Sequence, residues 1–198
     1  ASLIAVRPDL VPRIERIVAV AGRRPGQRFT TGTSNLRGHR DFNFEKDPEA
    51  FRVIIESGVP LVLAPWEISS TVWITQRELE LWAKGPPAAQ WLALKAPSWI
   101  ELWKETFHVD GFNPFDTLAV ATLTSPQHIA CDTWGIQIIR APDDVTAPEM
   151  QGGQPAESKP YLVVQAAAQG GPQARYCHTA KPAFLDELMQ RVLTNPSP

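Results

Sequence analysis

Asp41-Phe42-Asn43-Phe44-Glu45-Lys46-Asp47-Pro48-Glu49-Ala50 is the stretch whose reading decides the fold. It sets two polar groups, Asp41 and Asn43, around an aromatic residue just before a strong helix start. Asp47 is placed to cap that helix, and Pro48 suits its first turn. The helix is expected over Pro48–Ser57 and stops at Gly58. The apolar run Val59-Pro60-Leu61-Val62-Leu63-Ala64 then reads as a buried strand. Loop, helix, glycine stop and strand make an α/β unit with a polar loop at its entrance. An α/β protein places a ligand at such a loop.

Working outward, Asp9–Glu15 reads as a short helix and Arg16–Gly22 as a buried strand. Residues 23–40 are rich in Gly, Arg and Thr with no apolar period, so they form a loop. A loop that long inside a compact domain is usually functional. Ser69–Lys84 is expected as one helix stopped by Gly85-Pro86-Pro87, and Ala88–Phe107 as a helical stretch breaking at Pro97. His108–Phe115 forms a second loop, and its polar content puts it at the same edge as the first. Asp116–Leu123 is a helix. Gln127–Cys131 and Gly135–Arg140 read as two strands, and residues 141–160 as an excursion. Tyr161–Ala166 and Ala174–His178 read as a hairpin pair, and Phe184–Leu193 as a closing helix. Strands alternating with helices predict an α/β fold with an open, mostly parallel sheet flanked by helices.

The chain of 198 residues is long enough for one domain with a sizeable core. Its net charge of −2 gives no argument for a nucleic acid partner or an anionic membrane. No run is long and apolar enough to span a bilayer, and no signal peptide is read, so a cytoplasmic setting is expected. Cys131 and Cys177 read as buried thiols rather than a disulfide framework. His39, His108, His128 and His178 show no ligand spacing and read as surface or satisfied histidines. The apolar start Ala1-Ser2-Leu3-Ile4-Ala5-Val6 reads either as the end of a helix cut in mid-course or as the result of simple processing.

Asn35, Asp41, Asn43 and Asp116 are the candidate site residues. The two asparagines donate and accept hydrogen bonds and Asp41 accepts, a set that suits a polyhydroxylated ligand such as a sugar ring. A local reading stands beside it, with Asn35 as a turn residue, Asp41 as a surface charge and Asp116 as a helix cap. Trp99 and Trp103 lie four apart on a helix, where they either pack in the core or line a pocket.

With these residues in place, the chain resembles the central and C-terminal part of the inosine–uridine-preferring nucleoside hydrolase family. Asn35 stands eight residues before Asn43, as in the family's loop, and Asp41 stands where the family more often has glutamate. Asp47-Pro48-Glu49-Ala50 is similar to its helix start, and Ser57-Gly58-Val59-Pro60-Leu61 to its strand entry. Pro114-Phe115-Asp116-Thr117-Leu118-Ala119 resembles its late calcium-binding motif. The likeness covers nearly the whole chain and loosens after residue 125.

The resemblance implies hydrolysis of the N-glycosidic bond of ribonucleosides to base and ribose, with calcium-bound water as nucleophile. It implies Asp116 as a calcium ligand and Asn35, Asp41 and Asn43 as ribose contacts. Phe115 departs from the family's frequent histidine. It can stack on a base but not protonate it, which leans towards a purine unless it packs in the core. The family's N-terminal aspartate cluster is absent, and Asp143-Asp144 is not a substitute for it. The chain therefore reads as lacking the N-terminal part of its fold. A complementing N-terminal chain or a homo-oligomer is a possible partner beside the ribonucleoside. A non-catalytic nucleoside-binding module and a degenerate structural relative remain as alternatives.

Overall fold

The structure, a computed structural model, describes residues 1–32, 38–145, 157–166 and 170–194. Helix α1 (Ser2–Val6) and a 3-10 turn (Pro8–Arg13) lead into strand β1 (Ile17–Ala19). The crossover to β2 (Leu61–Leu63) runs through α2 (Phe42–Lys46) and α3 (Pro48–Glu56). Parallel strands require such a crossover. Asp47 caps α3 as expected, accepting the Ala50 N–H at 2.9 Å. Beyond β2 come α4 (Trp66–Ser69), α5 (Gln76–Trp82), α6 (Pro87–Lys95) and α7 (Pro97–Phe107), followed by α8 (Phe115–Thr124). Strands β3 (Ile129–Pro142), β4 (Ser158–Gln165) and β5 (Gln173–Ala180) and helix α9 (Ala183–Leu193) complete the order.

The sheet runs β1-β2-β5-β3-β4. β1, β2 and β5 are parallel, while β3 is antiparallel to both β5 and β4. All strands but β3 thus share one direction, as a mostly parallel sheet requires. The sheet is also curled. Just past β1, Arg23 pairs in parallel with Val163 of β4, so the two edges are stitched together. The bonds are Arg23 N–H to Leu162 O at 3.1 Å and Val164 N–H to Arg23 O at 2.9 Å.

Three expectations are corrected. Tyr161–Ala166 and Ala174–His178 are not a hairpin, because β3 lies between them and pairs with both. Gln127–Cys131 and Gly135–Arg140 belong to one long strand apart from a short 3-10 turn at Pro126–His128. The helix expected over Ser69–Lys84 is cut back to α5, since Ser69 ends α4 and residues 70–75 are not helical. Between α4 and α5 Ile74 bridges to Phe112, and Thr75 with Glu78 forms a new capping box. Bridging and capping won over helical periodicity there. The excursion at 141–160 falls partly outside the described residues.

Leu61 and Leu63 pack on one sheet face with Phe44 and Phe51, while Val62 packs on the other with Ile68, Leu118 and Phe184. β2 is buried on both faces, which is why its sequence is an unbroken apolar run. Cys131 and Cys177 face each other across β3 and β5 and form a disulfide, a correction to the buried-thiol expectation. Spacing 46 residues apart carried no sign that a strand register would bring them together. No helix among the described residues is long and apolar enough to cross a membrane.

Candidate functional site

The residues that follow β1 and β2, the starts of α2 and α8, and one face of α7 together enclose a cleft of about 740 Å³. That volume lies within the range of small-molecule sites. Asp41, Asn43, Phe115 and Asp116 all line it, so the loops on either side of the crossover and before α8 meet at one edge. Asn35 lies outside the described residues.

Asp41 is not a surface charge. It is only 8% exposed, and its Oδ2 accepts the Gly22 N–H at 2.7 Å. Burial pushes its carboxyl up to about 6, against the pull of that amide. Gly22 has φ +90, and a Cβ there would meet Leu63 Cδ1 at 3.2 Å, so glycine is what lets the backbone turn its amide towards Asp41. Asn43 sits exposed in the first turn of α2, where Nδ2 donates to Val20 O at 2.9 Å. Its Oδ1 has no partner among the described residues. Asp116 is exposed in the first turn of α8, also without hydrogen bond or ion pair among the described residues. The helix N-terminus favours its negative charge.

Phe115 is half-buried, with its ring 6.2 Å from Trp103. Trp103 also meets Phe107 at 5.2 Å, and Trp99 lies beside it at 6.5 Å. Trp99 and Trp103 both line the cleft, so the stripe on α7 is a wall as well as packing. Asn113 holds the loop before α8 in place by donating to Val72 O at 2.8 Å.

Two ionic networks brace the cleft. Glu45 and Asp143 each pair with both Arg40 and Lys159, at 2.8 to 3.2 Å. Arg23 pairs with Asp144 at 2.8 Å and lies over the Tyr161 ring. Asp143 and Asp144 thus tie α2 and the Gly22 turn to the β3–β4 edge. On the other side Glu67 accepts from Arg24, Gln27 and the Tyr176 hydroxyl. Burial pushes the Glu67 carboxyl up, but those donors outweigh it and hold it below its ordinary value.

Sequence reasoning missed Phe29, Thr31, His39 and Trp66, which also line the cleft. His39, expected at the surface or satisfied, is half-buried edge-on to Phe107 at 4.9 Å, and its Nε2 is buried without a partner among the described residues. The length of the 23–40 loop was the available signal for three of them. Trp66 was marked by its place directly after the buried β2 run.

The fold is α/β, and a cleft at the carboxyl ends of parallel strands, with a buried carboxylate, an amide and an aromatic wall, is where such a fold offers a candidate ligand site. The family model described as inosine-uridine preferring nucleoside hydrolase matches residues 1–178, and the chain belongs to that family. It is 27% identical over 129 residues to the pyrimidine-specific ribonucleoside hydrolase RihA of Klebsiella pneumoniae, covering 64% of this chain and 39% of the relative. It is 25% identical over 134 residues to RihB of Shigella sonnei, also named pyrimidine-specific, covering 67% and 41%. Among solved structures, a plant nucleoside hydrolase, PpNRh1, superposes with a TM-score of 0.72 at 16% identity, covering 98% of this chain and 58% of the plant chain. A purine-preferring ribonucleoside hydrolase from Gardnerella vaginalis gives 0.68 at 21% identity, covering 96% and 55%. The chain therefore spans less than half the length of either of these curated relatives.

The described residues do not fit a calcium site by themselves. A hard cation takes about 6 to 8 oxygen ligands. Asp116 offers one carboxylate, and no group of three or more acidic, histidine or cysteine side chains among the described residues could hold a metal.

Proposed function

We propose that the cleft binds a ribonucleoside and forms the sugar- and base-gripping part of a ribonucleoside hydrolase site. The observation that carries this reading is that Asp41, Asn43, Phe115 and Asp116 line one cleft. The Asp41 carboxylate and the free Asn43 Oδ1 accept from ribose hydroxyls, and Asn35 is assigned a third contact. Such contacts accelerate bond cleavage when they tighten as the sugar ring flattens. Phe115, backed by Trp103, stacks on the base, and the larger face of a purine gains more from that wall.

Hydrolysis adds water across the N-glycosidic bond and gives free base and ribose. Asp116 is assigned to the metal side of the site. The remaining ligands are assigned to residues other than those described, on a complementing segment or chain. The single carboxylate at Asp116 also favours a second reading, a nucleoside-binding module without turnover.

The test is titration of the protein with inosine and uridine, followed by assay of base release with added calcium. Saturable inosine binding, stronger than uridine, is expected. Base release whose calcium dependence disappears in Asp116→Ala supports the enzyme, and binding without release supports the module. Turnover unchanged in Asp116→Ala overturns the Asp116 assignment.

A further inference from the structure

The charged side chains among the described cleft-lining residues are Arg40, Asp41 and Asp116. Arg40 is held by two carboxylates, Glu45 at 2.9 Å and Asp143 at 3.0 Å, so its charge is balanced within the wall. Asp116 is exposed and forms no ion pair among the described residues. Asp41 is ionised above about 6. The cleft is thus bordered by negative charge that no described lining residue offsets. It is also bordered by rings with accessible surface. Trp99 is 48% exposed and Phe115 is half-buried, and both line the cleft. Phe42 lines it too, with Lys46 Nζ already over its ring at 4.8 Å. An aromatic face attracts a cation, tryptophan best of all. Rings and carboxylates around one volume suit a positively charged guest.

The chemistry of bond cleavage points the same way. A neutral base takes the electron pair of the broken C–N bond as an anion unless an acid hands it a proton. Phe115 has no proton to give. Burial lowers the His39 pKa, so its ring is neutral near pH 7, and its Nε2 is shut off from solvent and cannot reach a base lying in the cleft. Asp41 is an anion at neutral pH, and its Oδ2 accepts the Gly22 N–H. A base that leaves without being protonated fits such a wall.

We propose that the cleft prefers a ribonucleoside whose base carries a fixed positive charge, an N-alkylated purine or a pyridinium ring, an inference that rests on the ribonucleoside reading above. The charged ring stacks on Phe115 and Trp99, and the carboxylates set the sign of the surrounding field. Hydrolysis of such a nucleoside balances without an acid. Water adds its hydroxyl to C1′ of the ribose and releases its proton to solvent. The C–N electron pair cancels the charge on the ring, which leaves as a neutral base. Positive charge passes meanwhile from the base to the flattening ribose, where the sugar reading puts Asp41.

The test is calorimetric titration of the whole chain at neutral pH with two matched pairs. 7-Methyladenosine against adenosine places the charge on a purine. A 3-carbamoylpyridinium riboside against its carbon-linked benzamide isostere changes the charge alone. In at least one pair the cation should bind about tenfold more tightly than its neutral partner, and that pair identifies the ring system. Phe115→Leu and Trp99→Leu keep an apolar wall and remove an aromatic face. In one or both, that ratio should shrink to about threefold or less. Equal affinity within both pairs overturns the inference and leaves the ribonucleoside reading standing, because the neutral members still bind. A ratio unchanged in both variants overturns it too, since other groups would then hold the cation. A chain that binds no member of either pair overturns the ribonucleoside reading and this inference with it.

Discussion

The β3–β4–β5 part of the sheet and the cleft at the ends of β1 and β2 are built by opposite rules. In the first, strands of eight residues or more pair along their length, a disulfide joins β3 to β5, and the enclosed residues are almost all apolar. In the second, two strands of three residues each release the chain into loops. Those loops bury a carboxylate at Asp41, and Trp66 and His39 each keep a buried polar atom without a partner among the described residues. Continuous strand pairing and a covalent bridge hold the first region together. At the cleft, burial of the Asp41 carboxyl raises its pKa to about 6, so there the fold carries an electrostatic cost at neutral pH.

Cutting into the first region should lower stability and spare binding. Phe184→Ala removes a fully enclosed ring far from the cleft and should destabilise by about 3–5 kcal/mol. Chemical denaturation would measure the loss, with inosine affinity unchanged. Reducing the Cys131–Cys177 bridge, which closes a span of 46 residues, should lower stability by about 2–4 kcal/mol. Thiol labelling with and without reductant, beside a melting curve, checks this. A freely labelled thiol in the unreduced protein would remove the bridge from the account.

Cutting into the cleft should do the reverse. Asp41 has a folded pKa of about 6, above its unfolded value, so its stabilising contribution is complete at low pH and is lost as pH rises through 6. At pH 8 its buried charge is unfavourable by about 2–3 kcal/mol. Asp41→Asn keeps an oxygen for the Gly22 amide. It should raise the melting temperature at pH 8, flatten its fall between pH 4 and 6, and weaken nucleoside binding about tenfold or more. A variant less stable than wild type at pH 8 would place Asp41 among the structural residues. The smallest effect is expected at the brace between the two regions. Lys159→Met removes ion pairs to Glu45 and Asp143 and should cost about 1 kcal/mol, with a slight loss of affinity as α2 loosens. High salt should reproduce part of that loss.

Much of this division was legible in the sequence. The capped helix at Asp47-Pro48 and the apolar β2 run are local signals, and each matched the structure because no distant contact opposed it. The break at Pro97 is of the same kind. What was hidden depended on pairing between distant segments. Nothing in Tyr161–Ala166 or Ala174–His178 says that β3 will slide between them, and nothing in the cysteine spacing says that Cys131 will face Cys177. At the site, Asp41, Asn43, Phe115 and Asp116 could be named from spacing and resemblance. Trp66 and His39 could not, because an unpaired buried atom is a property of the folded wall and not of a motif. Asp143 and Asp144 were set aside as a lone acidic pair, and their role emerged only once Arg23, Arg40 and Lys159 were brought beside them.

The most direct test of the central claim is isothermal titration of inosine into the wild-type chain and into Asn43→Ala at neutral pH. Asn43 is exposed and holds Val20 O by one hydrogen bond, so the variant should fold. Saturable binding to one site by the wild type, weakened about tenfold or more in Asn43→Ala with little change in melting temperature, is the predicted result. Equal inosine affinity in the two proteins, or a wild-type chain that binds no nucleoside, would contradict the account.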